Sequence, residues 1–146
     1  MQPEERPPKL LLVEDNDIDV ELVRRIAKRY SLDVPIVRAS NGVEALEMLQ
    51  RPDECGLEQP YIILLDNNMP MMNGIELLEH MAEYGPALET PLYVLSTSDS
   101  QIDMDKFEKY KISGYLIKPL TKSVFAEIVE TQNAAYAAKL ISQTVA

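Results

Sequence analysis

The sequence predicts an α/β domain in which five parallel strands alternate with five helices. Two observations support this fold class. Short apolar runs rich in Val, Ile and Leu recur five times, and four of them show little alternation, which is typical of strands covered on both faces. Segments with helical periodicity separate the runs, so right-handed crossover connections are expected. The runs are, in order, Leu10–Val13, Pro35–Val37, Ile62–Leu65, Leu92–Leu95 and Tyr115–Ile117.

The first three helices have recognisable start or stop signals. The first is predicted from Ile18 to Tyr30, with Asp17 as its N-cap. The second is predicted to begin near Asn41-Gly42, where apolar residues start to recur at helical spacing. The third follows Asn73-Gly74 and is expected to end at Gly85-Pro86, because Gly and Pro together interrupt a helix.

The last two helices differ in the strength of their patterns. The fourth is predicted from Gln101 to Tyr110 on a weak pattern, and the fifth begins at Thr121. Ala-rich residues 133–138 favour continuation of the fifth helix as an extended C-terminal helix. Its apolar stripe, which includes Ala134 and Ile141, has two interpretations. It is either a frayed helical tail or a surface that docks on a partner, including a second copy in a homodimer.

Length and composition indicate one domain with a single core. The chain has 146 residues, an ordinary domain size. Residues 1–8 are charged and Pro-rich and are predicted to form a flexible tail. Residues 9–131 are predicted to form the domain, and residues 132–146 to extend its last helix. No output domain is expected in so short an extension.

Charge and hydropathy argue against several classes of function. The formal net charge is −10, so nucleic acid is not an expected partner. No run of about 18 apolar residues indicates a membrane span. The N-terminus lacks the apolar segment of a signal peptide, so a cytoplasmic location is expected. Cys55 is the sole cysteine, and no internal disulfide can form.

Polar residues end four of the five predicted strands. Glu14 and Asp15 follow the first strand, Asp66 the third, Ser96 the fourth and Lys118 the fifth. Because the carboxyl ends of parallel strands meet at one edge of the sheet, these side chains are expected to lie together. A single polar residue after a strand usually just starts a loop. The hypothesis of a functional site depends on finding such residues after four of the five strands.

These residue types suit metal-assisted phosphoryl transfer. Crowded carboxylates repel one another unless a cation joins them or one stays protonated. Oxygen ligands without His or Cys point to a hard cation such as Mg²⁺. A carboxylate can act as the nucleophile, while Lys118 stabilises the charge of the phosphoryl group and Ser96 donates a hydrogen bond to it.

Four motifs resemble those of the receiver domains of two-component response regulators, in particular the single-domain chemotaxis type. They are Leu-Leu-Val-Glu-Asp, Leu-Leu-Asp-Asn-Asn-Met-Pro-Met-Met-Asn-Gly, Val-Leu-Ser-Thr-Ser and Gly-Tyr-Leu-Ile-Lys-Pro-Leu. The Asp-x-x-Met-Pro-x-Met-Asn-Gly stretch together with Lys-Pro downstream is a strong signal for this family, whereas the acidic pair alone would be a weak one. The resemblance covers about residues 9–129 and implies a doubly wound, flavodoxin-like sheet with strand order 2-1-3-4-5.

The resemblance implies a role for each matching residue. Asp66 would be the phosphoacceptor, and it would bind Mg²⁺ or Mn²⁺ together with Asp15. Asn68 would add its backbone carbonyl as a ligand and help to position the water that hydrolyses the aspartyl phosphate. Glu14 would act through a water molecule. Lys118 would pair with the phosphoryl group and precede a cis proline.

The resemblance also implies a switch. Ser96 would report phosphorylation to Tyr115, and the face formed by the fourth helix, fifth strand and fifth helix would then bind a partner differently. The donor would be a histidine kinase or a histidine phosphotransfer protein. The chain would not be an enzyme in the usual sense, although it would catalyse its own phosphorylation and dephosphorylation. The kinase, downstream protein and input signal stay open.

Two positions depart from the commoner family pattern. Glu14 replaces Asp, which lengthens its reach to a metal by one methylene. Ser96 replaces Thr, and the neighbouring Thr97 makes the assignment of the switch hydroxyl uncertain by one residue. We favour Ser96, because it directly follows the apolar pair Val94-Leu95.

Three alternatives use the same residues differently. A small aspartate-nucleophile hydrolase would use Asp15-Asn16-Asp17 after the first strand, but the expected Thr does not follow. A flavodoxin-like cofactor binder would need a phosphate-binding loop there, and this acidic loop repels phosphate. A degenerate receiver would keep the fold as a phosphorylation-independent interaction module, although competent residue types fill all the matched positions.

Overall fold

Five parallel strands form one sheet in the order β2-β1-β3-β4-β5. The computed structural model describes residues 8–29, 34–57, 61–69, 72–84 and 90–145. The predicted tail lies outside the described residues, apart from Pro8, which is buried. The sheet confirms the predicted fold class and strand order. The strands are β1 Lys9–Val13, β2 Ile36–Ala39, β3 Tyr61–Asp66, β4 Leu92–Ser96 and β5 Gly114–Ile117.

The helices connect these strands as crossovers. A short 3₁₀ helix at Pro52–Cys55 precedes β3 and includes the lone cysteine. The α-helices are α1 Asp17–Arg29, α2 Gly42–Gln50, α3 Gly74–Tyr84, α4 Gln101–Asp105 and α5 Lys122–Val145.

The apolar core lies on both faces of the sheet, because helices cover the middle strands from both sides. Every residue of β3 and β4 is buried, as the continuous apolar runs predict. One apolar cluster joins the sheet to α2 and α3 and includes Phe107, Met69 and Met72. The other joins the opposite face to α1 and α5 and includes Phe125.

The N-terminal cap of α1 differs from the prediction by one residue. The side chain of Asn16 accepts hydrogen bonds from the backbone N–H groups of Ile18, at 2.8 Å, and Asp19, at 3.1 Å. Asn16 is therefore the cap, and Asp17 is the first helical residue. The predicted start of α2 is confirmed, because Asn41 caps it through the N–H of Glu44.

The fourth helix is shorter than predicted. It ends at Asp105, and turns continue the chain to Tyr110. In these turns the N–H groups of Phe107 and Tyr110 bond to carbonyls three residues back rather than four. Phe107 is the only buried residue between Gln101 and Tyr110, so little apolar packing favours a longer helix.

The fifth helix has the extended length that the sequence predicts. It spans 24 residues, and the Thr121 hydroxyl accepts from the N–H of Val124 at its start. Gln132 donates to the Tyr93 hydroxyl at 2.8 Å, which fixes this part of α5 on β4. Of the two residues named for the apolar stripe, Ala134 is exposed, and the side chain of Ile141 is not among those that the structure describes. The homodimer through α5 stays a prediction.

No helix in the described part of the chain is both long and apolar enough to cross a membrane.

Candidate functional site

The carboxyl edge of the sheet gathers the polar residues that the sequence places at strand ends. Glu14 directly follows β1, Asp66 ends β3, Ser96 ends β4 and Lys118 directly follows β5. The pairing of Asp66 with Leu95 and of Ser96 with Ile117 aligns these strand ends. The parallel register therefore brings residues from four strands to one site.

An acidic cluster lies at this edge. One carboxylate oxygen from each of Glu14, Asp15 and Asp66 lies within 4.8 Å of the others. Glu14 is 1% exposed and Asp66 is 2% exposed, whereas Asp15 is open to solvent. Burial, followed by the hydrogen bond and the charge of Asp66, raises the pKa of Glu14 to about 7. Burial and the neighbouring Asp66 therefore both favour the protonated form of Glu14.

Lys118 supplies the positive charge of the site. Its Nζ atom lies 3.2 Å from Asp66 Oδ1, 3.3 Å from Glu14 Oε2 and 3.1 Å from Asp19 Oδ2. Burial opposes the charged form, but the hydrogen bond to Asp19 and the charges of Asp66 and Glu14 outweigh burial and raise the pKa of Lys118. The following bond to Pro119 is cis, as the resemblance implies.

The donor set of the cluster fits a hard divalent cation. Its three side chains offer oxygen atoms only. The negative charge of Asp66, which adds to burial in raising the pKa of Glu14, would be offset by such an ion. The N–H of Asn68 donates to Asp66 Oδ1 at 3.2 Å, so the loop after β3 folds back on the Asp66 carboxylate.

The two candidate switch hydroxyls have different surroundings. Ser96 is fully buried, and its Oγ accepts from the N–H of Ser98 at 3.1 Å. Thr97 is exposed, and its hydroxyl accepts from the side chain of Asn68 at 3.4 Å. Ser96 lies two residues after Val94, so it faces the side of the sheet that carries the Val94 and Tyr115 cluster.

Tyr115 is joined to Ser96 through one intervening residue. Its hydroxyl donates to the carbonyl of Ser98 at 2.9 Å, and Ser98 is the residue whose N–H bonds to Ser96. The Ser98 hydroxyl also donates to Asp103 of α4 at 2.6 Å. The Tyr115 ring packs on Phe107, with centroids 5.7 Å apart. A continuous set of contacts therefore runs from the edge of the sheet to α4.

The structure adds two residues that the sequence reasoning missed. Asp19 is a third partner of Lys118 from the first turn of α1. Arg38 of β2 contacts the loop that contains Glu14 and Asp15. A signal for Arg38 was present, because it is the one charged residue in an otherwise apolar strand.

Sequence comparison places the chain in a known family. The model of the response regulator receiver domain matches residues 10–130. The response regulator Rcp1 of Synechocystis is 32% identical over 120 residues, which cover 81% of this chain and 82% of that protein.

Solved structures agree with this assignment. A two-component response regulator from Legionella pneumophila is 31% identical, with a TM-score of 0.76 over 87% of this chain and 98% of its own. The phosphorylated cyanobacterial phytochrome response regulator RcpA is 28% identical, with a TM-score of 0.69 over 86% and 90% of the two chains. The Mn²⁺-bound form of Rcp1 is 29% identical, with a TM-score of 0.68 over 85% and 91%. The chain belongs to the response regulator receiver domain family of two-component signalling.

Proposed function

We propose that this chain accepts a phosphoryl group on Asp66 from a histidine kinase or a histidine phosphotransfer protein, in a reaction that needs Mg²⁺ or Mn²⁺. The observation that carries the proposal is the position of Asp66, a buried carboxylate 3.2 Å from Lys118 and within a cluster of possible metal ligands. The phosphorylated state of RcpA and the Mn²⁺-bound form of Rcp1 support it by analogy.

The proposed reaction moves the phosphoryl group from nitrogen to oxygen. A carboxylate oxygen of Asp66 forms a bond to phosphorus, the phosphorus–nitrogen bond of the donor phosphohistidine breaks, and its electron pair stays on the imidazole. Lys118 stabilises the negative charge of the phosphoryl oxygens. Asp15, Asp66, the Asn68 carbonyl and, through water, Glu14 would hold the cation, which would supply further positive charge for the phosphoryl oxygens.

The proposed output is a change in protein binding on the face formed by α4, β5 and α5. The contacts from Ser96 through Ser98 to Tyr115 offer a route from the phosphorylated edge to α4. Ile102 of α4 and Ile117 of β5 are 73% and 40% exposed, so this face presents apolar side chains to a partner. The partner is another protein, of unknown identity.

The chain is proposed to act as a switch rather than as an enzyme with an external substrate. It would catalyse only its own phosphorylation and dephosphorylation, with Asn68 beside Asp66 to help orient the hydrolytic water. The proposal keeps the cytoplasmic location expected from the sequence.

Intact mass spectrometry tests the proposal. Wild type and Asp66→Ala are incubated with acetyl phosphate, with Mg²⁺ or with EDTA. An added mass of about 80 Da, one phosphoryl group, is expected only in wild type with Mg²⁺. A phosphohistidine protein as donor repeats the test with the proposed natural chemistry. No adduct from either donor would favour the phosphorylation-independent interaction module.

A further inference from the structure

Arg38 binds the acidic loop, which we define as residues 14–17, with all three of its guanidinium nitrogens. Its Nε donates to the carbonyl of Glu14 at 3.1 Å, and its Nη2 donates to the carbonyl of Asp15, also at 3.1 Å. Its Nη1 donates to Asp17 Oδ1 at 2.7 Å. One side chain from β2 therefore contacts three of the four residues of the loop.

The two backbone contacts have the greater consequence. The Arg38–Asp17 pair is exposed on the aspartate side, at 88%, and exposed ion pairs contribute little. The carbonyls of Glu14 and Asp15, in contrast, belong to the two residues whose carboxylates meet Asp66 in the acidic cluster. The N–H of Glu14 also donates to Ala39 of β2, so this strand holds the loop from two adjacent positions.

We propose that Arg38 is a positioning residue for the divalent cation site. Its planar, forked guanidinium group fixes the backbone of Glu14 and Asp15, so that their carboxylates already converge with Asp66 when a cation binds. This inference rests on the proposed function, because it concerns the cation that phosphoryl transfer needs.

A role of Arg38 through its charge and a role in positioning the loop predict opposite changes in cation affinity when Arg38 is removed. The positive charge of Arg38 next to a cation site repels the cation, so a role through charge alone means that its removal tightens cation binding. A positioning role means that its removal weakens binding, despite the relief of repulsion. The sign of the change therefore separates the two roles.

Isothermal titration of each protein with MnCl₂, and then with MgCl₂, in the absence of a phosphodonor tests the inference. Arg38→Lys keeps the charge and loses the fork, and Arg38→Met loses both. Each is expected to bind the cation about 10-fold more weakly than wild type, in the range for residues that orient metal ligands. Arg25→Gln removes a charge from the exposed side of α1, where Arg25 pairs with Glu21, and is expected to stay within about twofold of wild type.

A kinetic readout separates positioning from a general structural effect. If Arg38 serves only the cation site, saturating Mg²⁺ restores the phosphorylation rate of Arg38→Lys to that of wild type. Circular dichroism in EDTA checks that the variants fold, and Arg38→Lys remains the deciding variant if Arg38→Met does not fold.

The outcomes are distinct. Unchanged or tighter cation binding in Arg38→Lys would overturn the positioning role while leaving the proposed function intact. Failure of wild type to bind either cation would instead remove the metal site, and with it both proposals.

Discussion

The ammonium group of Lys118 lies 3.2 Å from the Oδ1 atom of Asp66, at the edge where β3 and β5 end on either side of β4. The carboxylate that we propose as phosphoacceptor is thus paired with the ammonium group of Lys118. Lys118 is also shared with Glu14 and Asp19. Phosphorylation adds negative charge at Asp66, so we expect the balance among these three pairs to shift toward the phosphoryl group.

Loss of Lys118 is expected to slow phosphorylation strongly. Lys118→Met removes the cation that stabilises the phosphoryl oxygens, and we expect a rate about 100-fold lower with acetyl phosphate and Mg²⁺. Lys106→Met is the control, because Lys106 pairs with Asp103 on exposed α4 instead. Equal rates in Lys118→Met and wild type, measured by the time course of intact mass, would contradict the role of Lys118.

Asp19 is expected to restrain Lys118. Asp19→Asn removes a partner that lies outside the acidic cluster, so more of the Lys118 charge becomes available to the phosphoryl group. We expect phosphorylation by acetyl phosphate to become about threefold faster. Glu21→Gln changes the net charge equally, and Glu21 pairs with Arg25 on the exposed side of α1. A rate that falls in Asp19→Asn, or rises as much in Glu21→Gln, would show that the ion pair does not restrain Lys118.

The stability of the protein in EDTA is expected to fall as pH rises through the range of Glu14. The folded state raises the pKa of Glu14 from 4.5 to about 7, mainly by burial, so between these values the folded protein holds a proton that the unfolded chain has lost. This stabilising contribution is complete below the unfolded pKa and is lost as pH rises through the folded pKa. We expect the free energy of unfolding to fall by about 2–3 kcal/mol across this range.

Urea unfolding at a series of pH values measures this effect. Glu14→Gln cannot titrate and is expected to flatten the decline, and added Mg²⁺ is expected to reduce it in wild type, because a bound cation offsets the charge. The same decline in Glu14→Gln as in wild type would assign the pH dependence to other groups.

Tyr115 is expected to couple the site to α4 without taking part in the chemistry. Tyr115→Phe removes the hydrogen bond to Ser98, with an expected loss of about 1 kcal/mol in stability. Phosphorylation of Asp66 should proceed at the wild-type rate. The change in hydrogen exchange that phosphorylation produces in residues 101–105 should shrink.

Tyr93→Phe is the matched control, because the Tyr93 hydroxyl instead accepts a hydrogen bond from Gln132 of α5. It should leave the exchange response of α4 intact. An undiminished response in Tyr115→Phe would exclude the Tyr115–Ser98 bond as a route to α4.

The sequence predicts the parts of this structure that depend on local pattern. The uniform apolar run Ile62–Leu65 and the acidic residue after it mark a central strand and the site at its end, because strand burial and strand direction together fix that position. The length of α4 was not predictable in the same way. The segment from Gln101 to Tyr110 has a single buried residue, Phe107, so its sequence pattern does not show where the helix ends.

The missed contacts are those between residues distant in sequence. Arg38 reaches the acidic loop from a neighbouring strand, and Asp19 meets Lys118 from the opposite end of the chain. The lone charge in β2 marks Arg38 as unusual, but no local pattern identifies its partners or those of Asp19, because the pairs depend on how the strands and helices pack. The position of the N-cap, Asn16 rather than Asp17, is a smaller case, since both residue types are good caps.

The most direct test of the central claim locates the phosphoryl group on one residue. Wild-type protein is phosphorylated with Mg²⁺ present and treated with sodium borohydride, which reduces an acyl phosphate to the alcohol, and the peptides are then sequenced by mass spectrometry. The account predicts homoserine at position 66 and unreduced aspartate at position 15. Homoserine at any other position, with Asp66 intact, would contradict it.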